Sequence, residues 1–232
     1  MHAVKTTAHG PHLLQLTRLA IVNVYLVRED DGFTLVDTGL PGSAKGILAA
    51  ADHAGAPIRR IALTHAHNDH IGSVDALRER LPGVEVAIGA RDARFLRGDM
   101  GLDPDEPQDK IRGGFSELKR PAERELAPGD RVGSLEVVSA PGHTPGHVAF
   151  LDSRDRTLVA GDAFQTLGGV AVSGVLRPLF PPPALATWHK STALESARAL
   201  RALNPSRLAV GHGRVLEPPL AAMDKAIATA AG

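Results

Sequence analysis

The sequence predicts an α/β protein, and three observations carry that reading. Short apolar runs of strand character recur in both halves of the chain. Segments with helical spacing of apolar residues fall between them. Polar residues able to do chemistry follow the strands at once, and strand ends are where α/β proteins assemble their sites.

In order along the chain, residues 21–27 read as a strand interrupted by Asn23, and 33–36 as a second. Asp30-Asp31-Gly32 between them is a turn signal. Ser43 suits the cap of a helix over 44–53. A strand over 58–64 feeds the run Thr64-His65-Ala66-His67-Asn68-Asp69-His70. A helix follows over 71–81, stopped by Pro82-Gly83, and then a strand over 84–88. The stretch 91–130 is charged, carries Gly113-Gly114 and has little periodicity. It predicts helical fragments and loops over one end of the sheet.

Short strands are expected over 132–139, 147–152 and 157–160, and the Gly- and Pro-rich stretch 161–186 as mostly loop. The strongest helix signal covers 187–203, with Leu194, Ala197, Leu200 and Leu203 on one face. A strand over 208–210 and a helix over 221–230 close the chain. No composition break marks a linker, so residues 1–232 are expected to form a single domain.

Composition narrows the function. A chain of 232 residues that is 43% hydrophobic can bury a sizeable core. Lys and Arg total 26, as do Asp and Glu, and zero net charge argues against a nucleic-acid partner. The chain has no cysteine, so any metal site must be built from His and carboxylate. That absence fits a cytoplasmic protein. No apolar stretch approaches the roughly 20 residues that span a bilayer, and the N-terminus lacks a signal-peptide pattern. A small-molecule substrate is the expected partner, with no membrane; homo-oligomerisation stays open.

The densest signal is H-x-H-x-D-H at His65, His67, Asp69 and His70. A strand, with its period of two, cannot put these four side chains on one face. A strand ending in a tight loop, or a loop opening into a helix, can. Neutral imidazole suits zinc and iron, and a carboxylate adds the charge such cations need. The plainer alternative is that Asp69 only caps the next helix. Four further polar residues follow apolar strands: Asp37, His143 within Gly142-His143-Thr144-Pro145-Gly146-His147, Asp162 and His212.

This ordered set closely resembles the metallo-β-lactamase superfamily, from Asn23 to His212. The resemblance implies an αββα four-layer sandwich with a dinuclear site at one edge. By position, His65, His67 and His143 resemble the ligands of one metal, and Asp69, His70 and His212 those of a second. Asp162 matches the bridging carboxylate. Asp37 matches an acid that orients the ligand loop from behind. His147 matches a motif position but not a ligand. The implied cofactors are two divalent ions, zinc first, with iron and manganese as alternatives. The implied chemistry is attack by a bridging hydroxide on a carbonyl, with Asp69 taking or returning a proton.

Departures within the family narrow the reaction. The cysteine ligand of one β-lactamase group is impossible here, and the other groups mostly lack a bridging acid at the place of Asp162. The chain is similar to glyoxalase II-like thioesterases and to lactonases, although Gln165 stands where such lactonases often carry a tyrosine. The expected activity is hydrolysis of a carboxylic ester, thioester or lactone. The alternatives are a single-iron, persulfide dioxygenase-like oxidoreductase and a β-lactamase-like lactam hydrolase. Phe164, Gln165, Phe180 and His189 are the expected substrate contacts, Gln165 as donor to the carbonyl oxygen. The apolar residues of 164–180 are either core or a lid.

Overall fold

The computed structural model describes residues 4–232. Among the described residues, fourteen strands and seven α-helices are spread through both halves of the chain, as the α/β reading expects. The first half contributes β1 (Lys5–His9), β2 (Leu13–Arg18), β3 (Val22–Glu29), β4 (Gly32–Val36), α1 (Ala44–His53), β5 (Ile58–Leu63), α2 (Asn68–Ile71), α3 (Val74–Arg80), β6 (Glu85–Gly89), α4 (Ala90–Ala93) and β7 (Arg124–Leu126). The second half adds β8 (Arg131–Val132), β9 (Leu135–Ser139), β10 (Val148–Asp152), β11 (Thr157–Val159), the ribbon β12 (Phe164–Gln165) and β13 (Ala171–Val172), α5 (Pro182–Ala186), α6 (Lys190–Ala202), β14 (Arg207–Ala209) and α7 (Leu220–Ala230).

Sheet one runs β1 to β7 in chain order, and sheet two runs β14-β11-β10-β9-β8. Period-two alternation explains how they stack. Leu35, Ile61 and Leu63 face a core with Ile47 of α1 and Leu77 of α3. Their neighbours Val36 and Ala62 face the opposite way, into a core shared with Phe150, Val159 and Ala209 of sheet two. Leu158 and Leu208 then turn outward onto Ala197 and Leu200 of α6 and Met223 of α7. Three apolar layers between four layers of structure make the αββα sandwich. Among the described residues, no helix is long and apolar enough to cross a membrane.

Four expectations change. The helix expected over 71–81 is two helices, broken at Gly72-Ser73; α2 starts earlier, at Asn68. A Cβ at Gly72 would meet the Pro41 ring and the Asn68 carbonyl oxygen within 2.6 Å, so close packing of the loop before α1 fixes that break. The hairpin β1–β2 was not foreseen. Inside 91–130, β7 pairs in parallel with β6 and completes sheet one. The last major helix starts at Lys190, later than expected, with Ala193, Ala197 and Leu200 as its buried apolar face and Leu194 only half-buried.

Candidate metal centre

The strand directions gather the site. β4 pairs in parallel with β5, and β11 in parallel with β14, so each pair delivers its C-terminal ends to the same edge. Asp37 follows β4, His65 and His67 follow β5, Asp162 follows β11 and His212 follows β14. Asp69 and His70 sit on α2, whose opening turn directs both back toward the strand ends. His143 comes from the loop between β9 and β10. Asp37 adopts φ 61°, a left-handed conformation that Asp tolerates better than most residues.

The structure brings all seven expected ligand residues together. Three overlapping sets have ligand atoms within 4.8 Å of one another: His65-His67-His143, His65-His70-Asp162 and Asp69-His70-His212. Asp162 lies among them, 3.4 Å from His143 Nε2, 3.5 Å from His70 Nε2 and 3.2 Å from His212 Nε2. Asp69 lies 3.3 Å from His212 Nε2. A Cβ at Gly211 would fall 2.2 Å from Asp162 Oδ1, so only glycine lets that strand end approach the carboxylate.

The hydrogen bonds behind the rings fix their tautomers. His67 Nε2 donates to the Arg112 carbonyl at 2.9 Å, and His212 Nδ1 to the Ile21 carbonyl at 2.7 Å. His70 Nδ1 donates to Asp37 Oδ2 at 2.8 Å. The Thr64 hydroxyl donates to Asp37, so it accepts from His65 Nδ1 at 3.0 Å. Behind His143, Thr187 donates to the Pro183 carbonyl and Ser173 donates to Thr187, so Ser173 accepts from His143 Nδ1 at 2.8 Å. Each neutral ring is thereby left with a bare nitrogen facing the cluster: Nε2 of His65, His70, His143 and His212, and Nδ1 of His67.

Charge divides the cluster. Burial and the neighbouring imidazoles hold His65 well below the ordinary imidazole pKa. Burial does the same to His143 against the pull of Asp162, and it lowers His67 against the hydrogen bond to the Arg112 carbonyl and the pull of Asp69. Burial also opposes charge on His70, yet Asp162, Asp37 and Asp69 outweigh it and raise its pKa well above the usual value. His212 is raised to about 10, because Asp162 and Asp69 overcome the cost of burial. Asp162 and Asp69 are held below the usual carboxylate range by the same histidines, although burial works the other way.

Several supports carry no motif. Asp92 is fully buried and accepts from Ala66 N at 3.0 Å, Thr144 Oγ1 at 2.7 Å and Gly146 N at 2.7 Å. It joins the His65–His67 loop to the His143 loop, and burial pushes its pKa up to about 6. Its one sequence signal is an acid shortly after the apolar run of β6, the pattern that marks Asp37 and Asp162. The Tyr25 phenol donates to the Val210 carbonyl at 2.7 Å and accepts from Val210 N at 3.0 Å, steadying the strand before His212. His147 Nε2 accepts from Asp162 N at 3.1 Å and so holds the acid's backbone.

The four expected substrate contacts fare differently. Phe164 has no exposed surface and lies in the core beneath α6 and α7, so it offers nothing to a substrate. Gln165 is buried, and its Nε2 donates to the Leu167 and Phe180 carbonyls; its amide is committed to the loop rather than free for a ligand. His189 caps α6, its Nδ1 accepting from Thr192 N at 3.4 Å. Phe180 does reach the cluster, with its ring centroid 5.1 Å from that of His212.

Comparison with known proteins agrees with this architecture. The family model described as "Metallo-beta-lactamase superfamily" matches residues 17–212. Two Bacillus subtilis (strain 168) proteins are similar: YobT, 49% identical over 89% of each chain, and the probable metallo-hydrolase YflN, 34% identical over 89% of this chain and 84% of its own. A hydroxyacylglutathione hydrolase of Stenotrophomonas maltophilia (strain R551-3) is 34% identical over 67% of this chain, which spans about half (51%) of that enzyme. A protein crystallised in a di-iron-bound form superposes with a TM-score of 0.63 at 28% identity, over 93% of this chain and 96% of its own. The αββα fold, the clustered His and Asp residues and a family match over most of its length together show that the chain belongs to the metallo-β-lactamase superfamily.

Proposed function

We propose that the chain is a hydrolase that uses two divalent ions to cleave a carboxylic ester, thioester or lactone. One observation carries the reading: the inward nitrogens of His65, His67 and His143 face one another with no hydrogen between them. His67 Nδ1 lies 3.1 Å from His65 Nε2 and 3.0 Å from His143 Nε2, lone pair against lone pair. His70 Nε2 and Asp162 Oδ1 are buried without a hydrogen-bond partner. Cations are the groups that relieve such a set.

His65, His67 and His143 would hold one ion, Asp69, His70 and His212 the other, and Asp162 would reach both. Zinc suits this all-His/Asp set, with iron and manganese as alternatives, and the likeness to a di-iron protein keeps iron in view. Ions held there would lower the pKa of a bound water and polarise a substrate carbonyl. The remaining work falls to the chain. Asp69 is the most solvent-accessible of the seven at 33%, so its carboxylate is the group best able to exchange a proton with substrate and solvent. Phe180 covers the His212 side and limits water there. An acylglutathione is a thioester, and the likeness to a hydroxyacylglutathione hydrolase supports the acyl class; it covers only about half of that enzyme and does not carry over glutathione itself.

The test combines elemental analysis with a substrate screen. Protein reloaded with zinc is expected to bind about two ions per chain. A single iron accompanied by oxygen uptake would replace this reading with an oxidoreductase. Lactones, thioesters, esters, phosphodiesters and β-lactams are then compared. Faster turnover of a phosphodiester or a β-lactam than of every acyl substrate would overturn the substrate class.

A further inference from the structure

Sheet one has two more strands than sheet two, so the hairpin β1–β2 overhangs the sandwich beside β14. Its inward face is set by register. Lys5 pairs with Thr17, Thr7 with Gln15 and His9 with Leu13, and Leu13 in turn pairs with Val27 of the core between the sheets. The inward residues of the overhang are therefore Lys5, Thr7, His9, Gln15 and Thr17. An inward face would ordinarily be apolar. Here it lines a groove of about 670 Å³, closed on the far side by Leu167 and residues 213–215.

The lining is one-sided in charge. Lys5, His9 and Arg214 border the groove, and no carboxylate does. The chain as a whole has equal numbers of acids and bases, so this exclusion is local. Among the described residues, neither Lys5 nor Arg214 has an ion-pair partner. The floor is fixed: Gln15 Nε2 donates to the Gly213 carbonyl at 3.0 Å, and Gln15 Oε1 lies 3.0 Å from His9 Nε2.

The groove also begins at the metal edge. Lys5 opens β1, Thr17 nears the end of β2, and both lie beside the turn at Leu19-Ala20. Ile21, the next residue, gives its carbonyl to His212, and Gly213 follows His212 directly. One wall of the groove is thus the back of the candidate metal centre.

We propose that this groove is an anion subsite, and that the preferred substrate is an acyl compound carrying a second, terminal carboxylate or phosphate. The reacting carbonyl lies over the cluster, and the terminal anion reaches Lys5 and Arg214 across the Leu19-Ala20 turn. The substrate part rests on the hydrolase reading above; the anion subsite does not.

Two arms separate the claims. In the first, metal-free protein is titrated with glutarate and with inorganic phosphate by calorimetry or NMR. Saturable binding is expected, weakened by salt and by the double variant Lys5→Gln, Arg214→Gln. No binding of either anion to the unmodified protein overturns the subsite, whatever the variant does. In the second, metal-loaded enzyme receives matched phenyl esters of increasing chain length, ending in carboxylate or in methyl. The carboxylated series is expected to have the higher kcat/KM beyond a threshold length. The double variant should shrink that ratio roughly 3- to 30-fold, as two exposed charges would. Binding without ester turnover would leave the subsite standing and remove the hydrolase reading; turnover without binding or preference would do the reverse.

Discussion

The two halves of the candidate metal centre both rest on histidine, and their histidines behave differently. His65, His67 and His143 are backed by neutral acceptors: a threonine hydroxyl, a backbone carbonyl and a serine hydroxyl. Burial keeps them uncharged. His70 is backed by the Asp37 carboxylate, and it and His212 face Asp69 and Asp162. Their pKa values rise instead. The lesson is that a ring's partner decides its chemistry. The first half is a neutral lone-pair trio; the second carries the negative charge, and in the absence of metal it holds protons that an ion must displace.

Replacing the residue common to both halves should do the most damage. Asp162 lies within 3.5 Å of imidazoles from each half, so Asp162→Ala should remove two-ion binding and lower kcat by orders of magnitude. A variant that keeps both ions and its activity would show that another group joins the halves. Asp37→Asn acts directly on one half, at His70, and on the other only through the Thr64 hydroxyl behind His65. It should weaken the ion at Asp69, His70 and His212 by roughly 10- to 100-fold and the other by less. Stepwise metal titration against a chelator reads the two separately, and equal losses would erase the distinction.

Asp92→Asn probes the brace behind the first half. An amide cannot accept all three of the hydrogen bonds that the carboxylate takes, so the metal-free protein should lose about 1–3 kcal/mol in chemical denaturation. A loss near zero would mean that the loops do not depend on it. Ser173→Ala should have the smallest effect. Thr187 Oγ1 remains 3.2 Å from His143 Nδ1, and the first ion should weaken less than about tenfold. A loss as large as that of Asp37→Asn would show that neutral and charged backing are equivalent.

What was legible in the sequence follows from where the information sits. The seven clustered residues lie at or just beyond strand ends, where the change from apolar to polar is abrupt, and one short run holds four of them. The sheet core was legible for the same reason: Leu35-Val36 and Ile61-Ala62-Leu63 are apolar on both faces. β1 and β2 were not, because one face of that hairpin is polar on the inside of the fold and gives no alternation to read. β7 is three residues, Arg-Glu-Leu, whose identity as a strand comes from pairing with β6. Phe164 and Gln165 were misplaced because a Gly- and Pro-rich stretch looks like surface, while the ribbon β12–β13 folds it inward. Ser173 and Thr187 stand far from His143 in sequence and meet it only through the loop's path.

Two of the five rings, His67 and His212, are steered by main-chain carbonyls, those of Arg112 and Ile21. Every amino acid supplies such an oxygen, so no single replacement at 112 or 21 can delete the acceptor. Side chains on those loops are therefore free to drift, apart from Gly113, whose lack of a Cβ leaves room for the His67 ring. Length is another matter: dropping one residue from 109–114 would carry the carbonyl out of reach. An alanine scan of that loop should leave metal affinity nearly flat except at Gly113, where a Cβ would fall 2.2 Å from His67 Nε2, whereas a one-residue deletion should lower it sharply.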